Sequence, residues 1–466
     1  DEINTKATNV EEALPYRFRG LAGRFTYGFD DRYFAEFNFG YNGSENFTPK
    51  NRYGFFPSVG LGWVISNESF FEPLTNVIQY LKVRGTWGQV GNSQISGRRF
   101  AYLATVTDSS STSYTFGKNM DQNYGTTAID EYAVDVTWEV ADKTDIGVDM
   151  RLLNNKLNLQ FDYFKESREG IYLRRSSIPS YVGMINNPYG NIGKVENKGF
   201  ELSVNYANSW GGDWSLSLMG NYSFNRNKVL EDDSTVVYPW QNTIGNKVGQ
   251  RFGLVALGLF ESYGEIAASP VQTGDTRPGD IKYKDINGDG KIDEYDKVPI
   301  GWGSVPEIMY GFGFSVGWKN LSLTAMFQGA AHVDAMLSGE GVLPFSQGSS
   351  RGNLLSNITD RWTEENPRQN AFYPRLSIGN INMNYEESTW WLKDTDYLRL
   401  KNIELSYRLP DHWMKRIHLD NARIFIQGVN LLTFSSFKIW DVELGDGRGA
   451  RYPNIASVSL GVNFNF

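Results

Sequence analysis

Residues 32–42 read Arg-Tyr-Phe-Ala-Glu-Phe-Asn-Phe-Gly-Tyr-Asn. Apolar side chains recur at every second position, with polar or small residues between them. The two faces are Tyr33, Ala35, Phe37, Phe39 and Tyr41 against Glu36, Asn38, Gly40 and Asn42. A period of two residues is typical of a β-strand with one apolar and one polar face. This stretch therefore predicts a strand.

The same alternation recurs along the whole chain and predicts thirteen strands. Their expected ranges are 17–28, 32–42, 54–65, 80–89, 143–152, 157–165, 199–206, 214–225, 307–317, 321–329, 396–409, 422–434 and 455–466. Pairs such as Asp30-Asp31, Asn154-Asn155 and Lys319-Asn320 separate neighbouring strands, and such residues favour tight hairpin turns. A short helical connector is expected at about residues 67–79.

Composition narrows the class of protein. The 466 residues are 15% aromatic and include 48 Gly, yet the mean hydropathy of −0.42 is polar. Strands with one apolar and one polar face explain how a chain can be both aromatic and polar on average. Cys is absent and His occurs three times, which excludes Cys-ligated zinc and thiol chemistry. A net charge of −8 without a basic cluster makes nucleic acid an improbable ligand. No apolar run approaches the ~18 residues of a membrane helix, but membrane strands need only about ten half-polar residues.

The connections alternate in length. Short turns alternate with long excursions of about 45 residues after Gln89, 30 after Lys165, 75 after Lys228 and 65 after Ala330. Outer-membrane barrels have short periplasmic turns and long external loops. We therefore predict an all-β protein: a transmembrane antiparallel β-barrel with long extracellular loops, one of them at residues 228–305. The alternation also predicts a periplasmic C-terminus, where the last strand ends at Phe466.

The number of strands is odd, whereas bacterial single-chain barrels have an even number. Either one strand is miscounted or the chain is part of a larger barrel. In the second case the first strand needs a partner upstream, because an open edge in lipid leaves backbone groups unpaired.

Six segments carry a family resemblance. They are Arg52-Tyr-Gly-Phe-Phe-Pro-Ser-Val59, Leu81-Lys-Val-Arg-Gly-Thr-Trp-Gly-Gln-Val-Gly-Asn92, Asn197-Lys-Gly-Phe-Glu201, Pro278-Gly-Asp-Ile-Lys-Tyr-Lys-Asp-Ile-Asn-Gly-Asp-Gly290, Asp396-Tyr-Leu-Arg-Leu-Lys-Asn-Ile-Glu404 and Gly428-Val-Asn-Leu-Leu-Thr-Phe434. In this order and spacing the chain resembles the C-terminal part of the SusC/RagA-type TonB-dependent transporters of Bacteroidetes outer membranes.

The resemblance implies a 22-stranded barrel, a plug domain inside it, and an N-terminal segment that contacts TonB–ExbB–ExbD. It also implies a SusD-like surface lipoprotein that closes over the barrel, and import of oligosaccharides or oligopeptides. The sequence shows no plug or TonB-contacting segment. Residues 1–466 are therefore expected to be about the last thirteen strands of such a barrel.

Residues 285–296 read Asp-Ile-Asn-Gly-Asp-Gly-Lys-Ile-Asp-Glu-Tyr-Asp. This spacing matches a calcium loop, with oxygen ligands from five side chains and one carbonyl, and Gly290 at the sharp turn. The predicted ligands are Asp285, Asn287, Asp289, Lys291 (through its carbonyl), Asp293 and Asp296. A solvated acidic turn is the alternative. Bound Ca²⁺ would have a structural role in ordering the long loop.

Aromatic residues in the long loops are candidate substrate contacts, because aromatic faces stack on sugar rings and peptide side chains. They are Tyr238, Trp240, Trp302, Phe345, Trp390 and Trp391. Packing of loops against each other is the alternative for each. Polar strand residues, such as Glu36, Asn38, Arg84, Gln160 and Asp162, are expected to face the barrel lumen.

No catalytic residue is predicted. The chain has no Walker A, HExxH or GxSxG motif, and its His residues are scattered. The favoured function is nutrient import across the outer membrane. The alternatives are a calcium-dependent surface binding or adhesion protein without active transport and, less favoured, a secreted glycoside hydrolase.

Overall fold

The computed structural model describes residues 15–95, 99–120, 122–345, 354–416 and 419–465. Thirteen strands form one antiparallel sheet, each strand pairing with its neighbours in chain order. The strands are β1 (Phe18–Phe29), β2 (Tyr33–Ser44), β3 (Tyr53–Val64), β4 (Ile78–Asn92), β5 (Glu139–Leu152), β6 (Leu157–Arg174), β7 (Tyr189–Trp210), β8 (Trp214–Glu231), β9 (Ile308–Trp318), β10 (Leu321–Ala331), β11 (Tyr397–Arg408), β12 (Asn421–Ser435) and β13 (Ser457–Asn465).

All thirteen predicted strands are confirmed, and the all-β class with them. Three of them extend well beyond the predicted limits at the end that carries the long connections. β6 continues to Arg174, β7 begins at Tyr189, and β8 continues to Glu231. The predicted residue Phe466 lies outside the described residues.

The tight turns follow the residue types that predicted them. Asp30 and Asp31 have φ of +52° and +50°, and Asn154 and Asn155 have φ of +58° and +62°. Asn and Asp tolerate this left-handed region better than most residues because their short side chains bond locally. These turns match the twist of the flanking strands.

The sheet has an apolar face and a polar face, as the alternation predicts. Aromatic pairs stack across strands on the apolar face, with ring centroids 5.2 Å apart for Tyr41–Tyr53 and 4.9 Å apart for Phe312–Phe327. Large apolar side chains on this face are exposed, and Leu61 and Phe25 retain 62% and 65% of their accessible surface. Such a surface is typical of strands that face lipid.

The polar face holds paired charges. Arg84 on β4 forms ion pairs with Asp145 (2.9 Å) and Asp149 (3.5 Å) of β5 and with Asp162 of β6. Glu36 accepts a hydrogen bond from Arg24 at 2.7 Å. Asn38 donates a hydrogen bond to Glu36 at 2.7 Å and Gln160 donates one to Asp162 at 3.2 Å. The five residues predicted to face the lumen therefore share the polar face. Cross-strand pairs of opposite charge also hold the register of a sheet.

Small elements occupy the connections. Two 3₁₀ helices, Ile65–Asn67 and Ser69–Leu74, replace the predicted helical connector. Helices α1 (Tyr263–Ala267) and α2 (Asp411–Arg416) are short. A hairpin of Thr105–Phe116 and Gln122–Glu131 follows β4 and was not predicted.

The remaining short strands pair within each of the two longest connections. They are Arg251–Gly253 with Val298–Ile300, Ala256–Leu259 with Ile281–Tyr283, Val271–Gln272 with Lys291–Ile292, and Asp334–Met336 with Leu392–Asp394. Within the described ranges, no helix is both long and apolar enough to cross a membrane.

Candidate functional site

Three connections at the same end of the sheet pack into one body, which we call the loop assembly: residues 232–307, the described parts of 332–396 (332–345 and 354–396), and 436–456. Its centre is a hydrophobic core in which Tyr283, Tyr373 and Trp391 are each 1% exposed. All three connections contribute to this core, the third through Phe437 and Val442. Because burying large apolar side chains contributes about 1.5–3 kcal/mol each, the long connections form an ordered structure.

Asp280 joins the first and second connections. Its side chain is buried and accepts hydrogen bonds from Arg375 (2.9 Å from both Nε and Nη2), Asn382 (3.1 Å) and Asn384 (2.8 Å). A buried carboxylate requires this degree of pairing, because an isolated charge is costly to remove from water.

Asp334 of the second connection binds the first connection, and its partner Arg251 reaches the third. It accepts hydrogen bonds from the amides of Trp302 and Gly303 and from Arg251 Nε at 3.1 Å. The same guanidinium contacts Asp446 of the third connection at 2.8 Å. A second ion pair joins Arg399 of β11 to Asp441 at 2.7 Å. These contacts fix the loop assembly over the end of the sheet.

The acidic segment 285–296 is a compact loop closed by its first and last carboxylates. Asp285 accepts hydrogen bonds from the amides of Gly288 (2.6 Å) and Gly290 (2.9 Å). Asp296 is fully buried and accepts from the amides of Ile286 (2.7 Å) and Asp293 (2.9 Å). Gly290 has φ of +82°, which agrees with the sharp turn assigned to it.

Between these ends, Asn287 and Asp289 each accept an amide hydrogen bond from the residue two positions ahead, at 3.0 and 2.9 Å. In the part of the chain that the structure describes, no three His, Asp or Glu side chains converge closely enough to hold a metal ion. Each carboxylate oxygen has a second lone pair, so the donor types fit Ca²⁺. The calcium loop remains a prediction.

Two predicted aromatic residues pack against this loop. Tyr238 stacks on Trp240 with centroids 4.6 Å apart and meets Tyr295 edge-on at 5.6 Å. Trp240 also donates a hydrogen bond to the carbonyl of Tyr295 at 2.8 Å. The two rings therefore join the start of the first connection to the end of the acidic loop while remaining partly exposed.

Trp302 lies at the top of β8 and β9. Its ring stacks on His332 with centroids 4.0 Å apart and planes 3° from parallel. Glu307, which is buried, accepts a hydrogen bond from His332 Nδ1 (3.2 Å) and ion pairs from Arg226 (2.6 Å) and Lys247 (3.0 Å). Trp302 is 41% exposed, so one part of its ring remains accessible.

Of the other three predicted aromatic residues, Trp391 lies in the loop core and Trp390 packs against it. Trp390 donates a hydrogen bond to the carbonyl of Phe372 at 3.2 Å, and Trp391 donates to the carbonyl of Asn384 at 2.7 Å. Trp391 is fully buried, which agrees with the loop-packing alternative. Phe345 is half-buried and has φ of +60°. Of these candidates, Trp302 is accessible to a ligand and Trp391 is not.

The sequence reasoning did not single out Asp280, Asp334 or Arg375. Asp280 lies in the segment Pro278-Gly-Asp280, which contributed to the family resemblance. That motif is the one sequence feature that could have drawn attention to Asp280. The partners Asn382 and Asn384 lie more than 100 residues away. No local pattern indicates such a pairing.

An antiparallel meander with an exposed aromatic face, a polar inner face and long connections at one end defines an outer-membrane β-barrel receptor. The chain belongs to the TonB dependent receptor-like, beta-barrel family, which matches residues 16–431. The predicted fold class and the resemblance to SusC/RagA-type receptors are confirmed. Barrels of this family are outer-membrane proteins, so the polar face is the lumenal face.

Similar proteins share both sequence and fold. TonB-dependent receptor P3 of Formosa agariphila is 28% identical over 475 residues, covering 95% of this chain and 45% of the relative. TonB-dependent receptor SusC of Bacteroides thetaiotaomicron is 27% identical over 462 residues, covering 95% and 43%. The RagAB peptide importer in its open-open state superposes with a TM-score of 0.74 at 22% identity, covering 97% and 47%. The chain spans about half the length of the relatives that it matches.

Proposed function

We propose that this chain is the C-terminal barrel portion of a SusC/RagA-type importer. The complete receptor takes up oligosaccharides or oligopeptides across the outer membrane, with energy relayed by TonB–ExbB–ExbD through an N-terminal region. A SusD-like surface lipoprotein closes over the loop assembly. The observation that carries the proposal is the family membership of residues 16–431 together with a lumenal polar face beneath one ordered loop body.

The orientation follows from the connections. The loop assembly faces the extracellular side, and the C-terminus lies in the periplasm. The longest loop of the assembly, predicted at residues 228–305, spans residues 232–307 because β8 continues to Glu231. Short turns at the opposite end support this orientation because outer-membrane barrels carry their short turns on the periplasmic side.

We propose that Ca²⁺ binds the acidic loop and has a structural role. The ligands are the side chains of Asp285, Asn287, Asp289, Asp293 and Asp296 and the carbonyl of Lys291. Support comes from the closure of the loop by its first and last carboxylates and from Trp240, which fixes the neighbouring segment. A cation between these carboxylates would relieve their mutual repulsion.

The test uses the native gene in its own host. Cells that lack the full-length receptor are compared with wild-type cells and with cells that lack TonB, during growth on mixed peptides or mixed oligosaccharides as the limiting nutrient. Loss of growth on one nutrient class in both mutants is expected, together with co-purification of a surface lipoprotein in detergent. Uptake that persists without TonB would contradict active import and favour the surface-binding alternative.

A further inference from the structure

The lumenal face changes character near its outer end. On β8, the lumenal positions Asn221, Ser223 and Asn225 are polar, and the pattern then gives way to Val229. Val229 pairs directly with Val195 of β7 in the sheet register. Val195 and Val229 are half-buried, and together they offer an apolar surface within an otherwise polar lumenal face.

These valines form the floor of a cleft of about 770 Å³ between β6, β7, β8 and residues 243–252 of the loop assembly. Leu173 and Ile171 complete the floor beside Gly193, where a Cβ atom would lie 2.6 Å from Leu173 Cδ1. Gly193 therefore leaves the space that Leu173 fills. The volume lies in the range typical of small-ligand sites.

The charges around the cleft balance. Three carboxylates and three cations line it: Glu166, Glu231, Asp232, Arg168, Lys194 and Lys247. The cations are already paired, Arg168 with Glu166 at 2.9 Å, Lys194 with Glu169 at 2.5 Å and Lys247 with Glu307 at 3.0 Å. Among the residues that the structure describes, the exposed side chain of Glu231 has no hydrogen-bond or ion-pair partner, and its charged cross-strand neighbour, Lys194, is paired with Glu169. An exposed carboxylate beside an aliphatic floor favours a ligand that carries an amine and an apolar side chain.

The cleft contains one aromatic side chain, Phe252, against five aliphatic ones. Sugar rings stack their C–H faces on aromatic rings and bind through hydroxyl hydrogen bonds, and an aliphatic floor offers neither contact. An apolar peptide side chain gains about 25 cal/mol for each Å² that it buries on such a floor. We propose that this cleft is a peptide subsite of the importer, which takes an aliphatic side chain on Val195 and Val229 and a free amine at Glu231.

The inference rests on the proposed import function and deepens it by naming the substrate class. The cleft lies where the loop assembly meets the outer end of the polar lumenal face. The balance of charges disfavours an acidic polysaccharide, and the aliphatic floor is what distinguishes a peptide from a neutral oligosaccharide. Because the cations of the cleft are already paired and the Glu231 side chain is not, the cleft should attract a positively charged amine rather than an anion.

The test measures peptide affinity in the purified full-length receptor with its native partner. The probes are a Gly/Ser nonapeptide with Leu next to a free N-terminus, the same peptide with Asp in place of Leu, its N-acetylated form, and maltoheptaose. Val195→Asn and Val229→Asn extend the polar lumen pattern and should preserve the barrel. Ser203→Asn on the same face of β7 is the matched control.

Wild-type receptor and Ser203→Asn should bind the Leu peptide at least about tenfold more tightly than the Asp peptide, because one buried aliphatic group discriminates by about 10–200-fold. Each valine variant should lose most of this preference. The N-acetylated peptide should bind wild-type receptor more weakly than the peptide with a free N-terminus. The Glu231→Gln variant should bind the two peptides with equal affinity.

Three results would overturn the subsite. The first is equal binding of the Leu and Asp peptides by wild-type receptor. The second is a lower affinity for maltoheptaose in the valine variants. The third is that the valine variants keep the peptide preference but make other parts of the receptor sensitive to protease. The last result would assign the cleft to a segment of the receptor itself. TonB dependence of growth tests the import function separately, since a peptide preference in vitro does not depend on energy coupling.

Discussion

Asp280 is the residue on which the contact between the first two connections depends. Replacing it by Asn leaves the Arg375 guanidinium without its carboxylate in a buried position. Breaking one partner of a buried pair costs about 3–5 kcal/mol. We expect Asp280→Asn to accelerate amide exchange in residues 371–385 and 278–283 of the full-length receptor.

Asp275→Asn is the matched control, because Asp275 pairs with Arg277 at 2.7 Å on the exposed surface. Its effect on exchange should stay within about 0.5 kcal/mol. The sheet itself should be unaffected in both variants, as seen from retained heat-modifiable migration on a gel. Equal exchange in Asp280→Asn and Asp275→Asn would contradict the assigned role of Asp280.

We predict that the stability of the loop assembly depends on pH through Lys393, which is half-buried and donates a hydrogen bond from Nζ to the carbonyl of Trp390 at 2.8 Å. Burial lowers the pKa of Lys393 below its usual value near 10.5. Between the lowered pKa and 10.5 the folded loop binds fewer protons than the unfolded loop, so its stability rises with pH in that window. We expect Lys393→Met to slow local opening at pH 7 by about 1 kcal/mol, and the gain to shrink as the pH approaches 10.

Protease sensitivity of the loop, measured from pH 7 to pH 10, follows this effect. Lys438→Met is the control, because Lys438 is exposed on the third connection. A Lys393→Met receptor with an unchanged pH profile would show that the ammonium group is not disfavoured by burial.

At the scale of single elements, we predict that protease protection of the acidic loop depends on Ca²⁺. If Ca²⁺ holds residues 285–296, chelation with EGTA should expose the peptide bonds after Lys284 and Lys291 to trypsin, and added Ca²⁺ should restore protection. Asp285→Ala should be cleaved with or without Ca²⁺, because it removes the first ligand. Glu294→Gln is the control, since Glu294 is not one of the assigned ligands and instead pairs with Lys297 at 2.8 Å. If EGTA does not change the trypsin protection of wild-type receptor, the segment does not bind Ca²⁺ and is a solvated acidic turn.

The strands illustrate what sequence patterns can predict. Alternation over β2 or β13 is local information and predicts the strand directly. The hairpin of Thr105–Phe116 and Gln122–Glu131 was missed because Thr and Ser occupy most of its first strand and provide no apolar face. The contact of Asp280 with Asn384 was missed for a different reason, since it closes a loop of 104 residues and no periodicity records such pairings.

At the scale of the whole molecule, the sheet has two edges, β1 and β13, each with a row of backbone groups facing away from its single partner. In a membrane, each unpaired backbone group costs several kcal/mol. We therefore expect both edges to be hydrogen-bonded in the native receptor. Exchange of β1 amides there should be as slow as exchange in β2, which pairs on both sides.

The same argument predicts how residues 15–466 behave when they are produced alone. Refolded into detergent, this segment should lack the heat-modifiable migration of a closed barrel, and its β1 amides should exchange much faster than those of β2. The native full-length receptor is the control and should show the opposite on both counts. If the segment alone gave a heat-modifiable barrel with slow β1 exchange, β1 would pair with β13, and the barrel would close with thirteen strands. The lumen would then be too narrow for a 22-stranded transporter's plug, because barrel diameter grows with strand number.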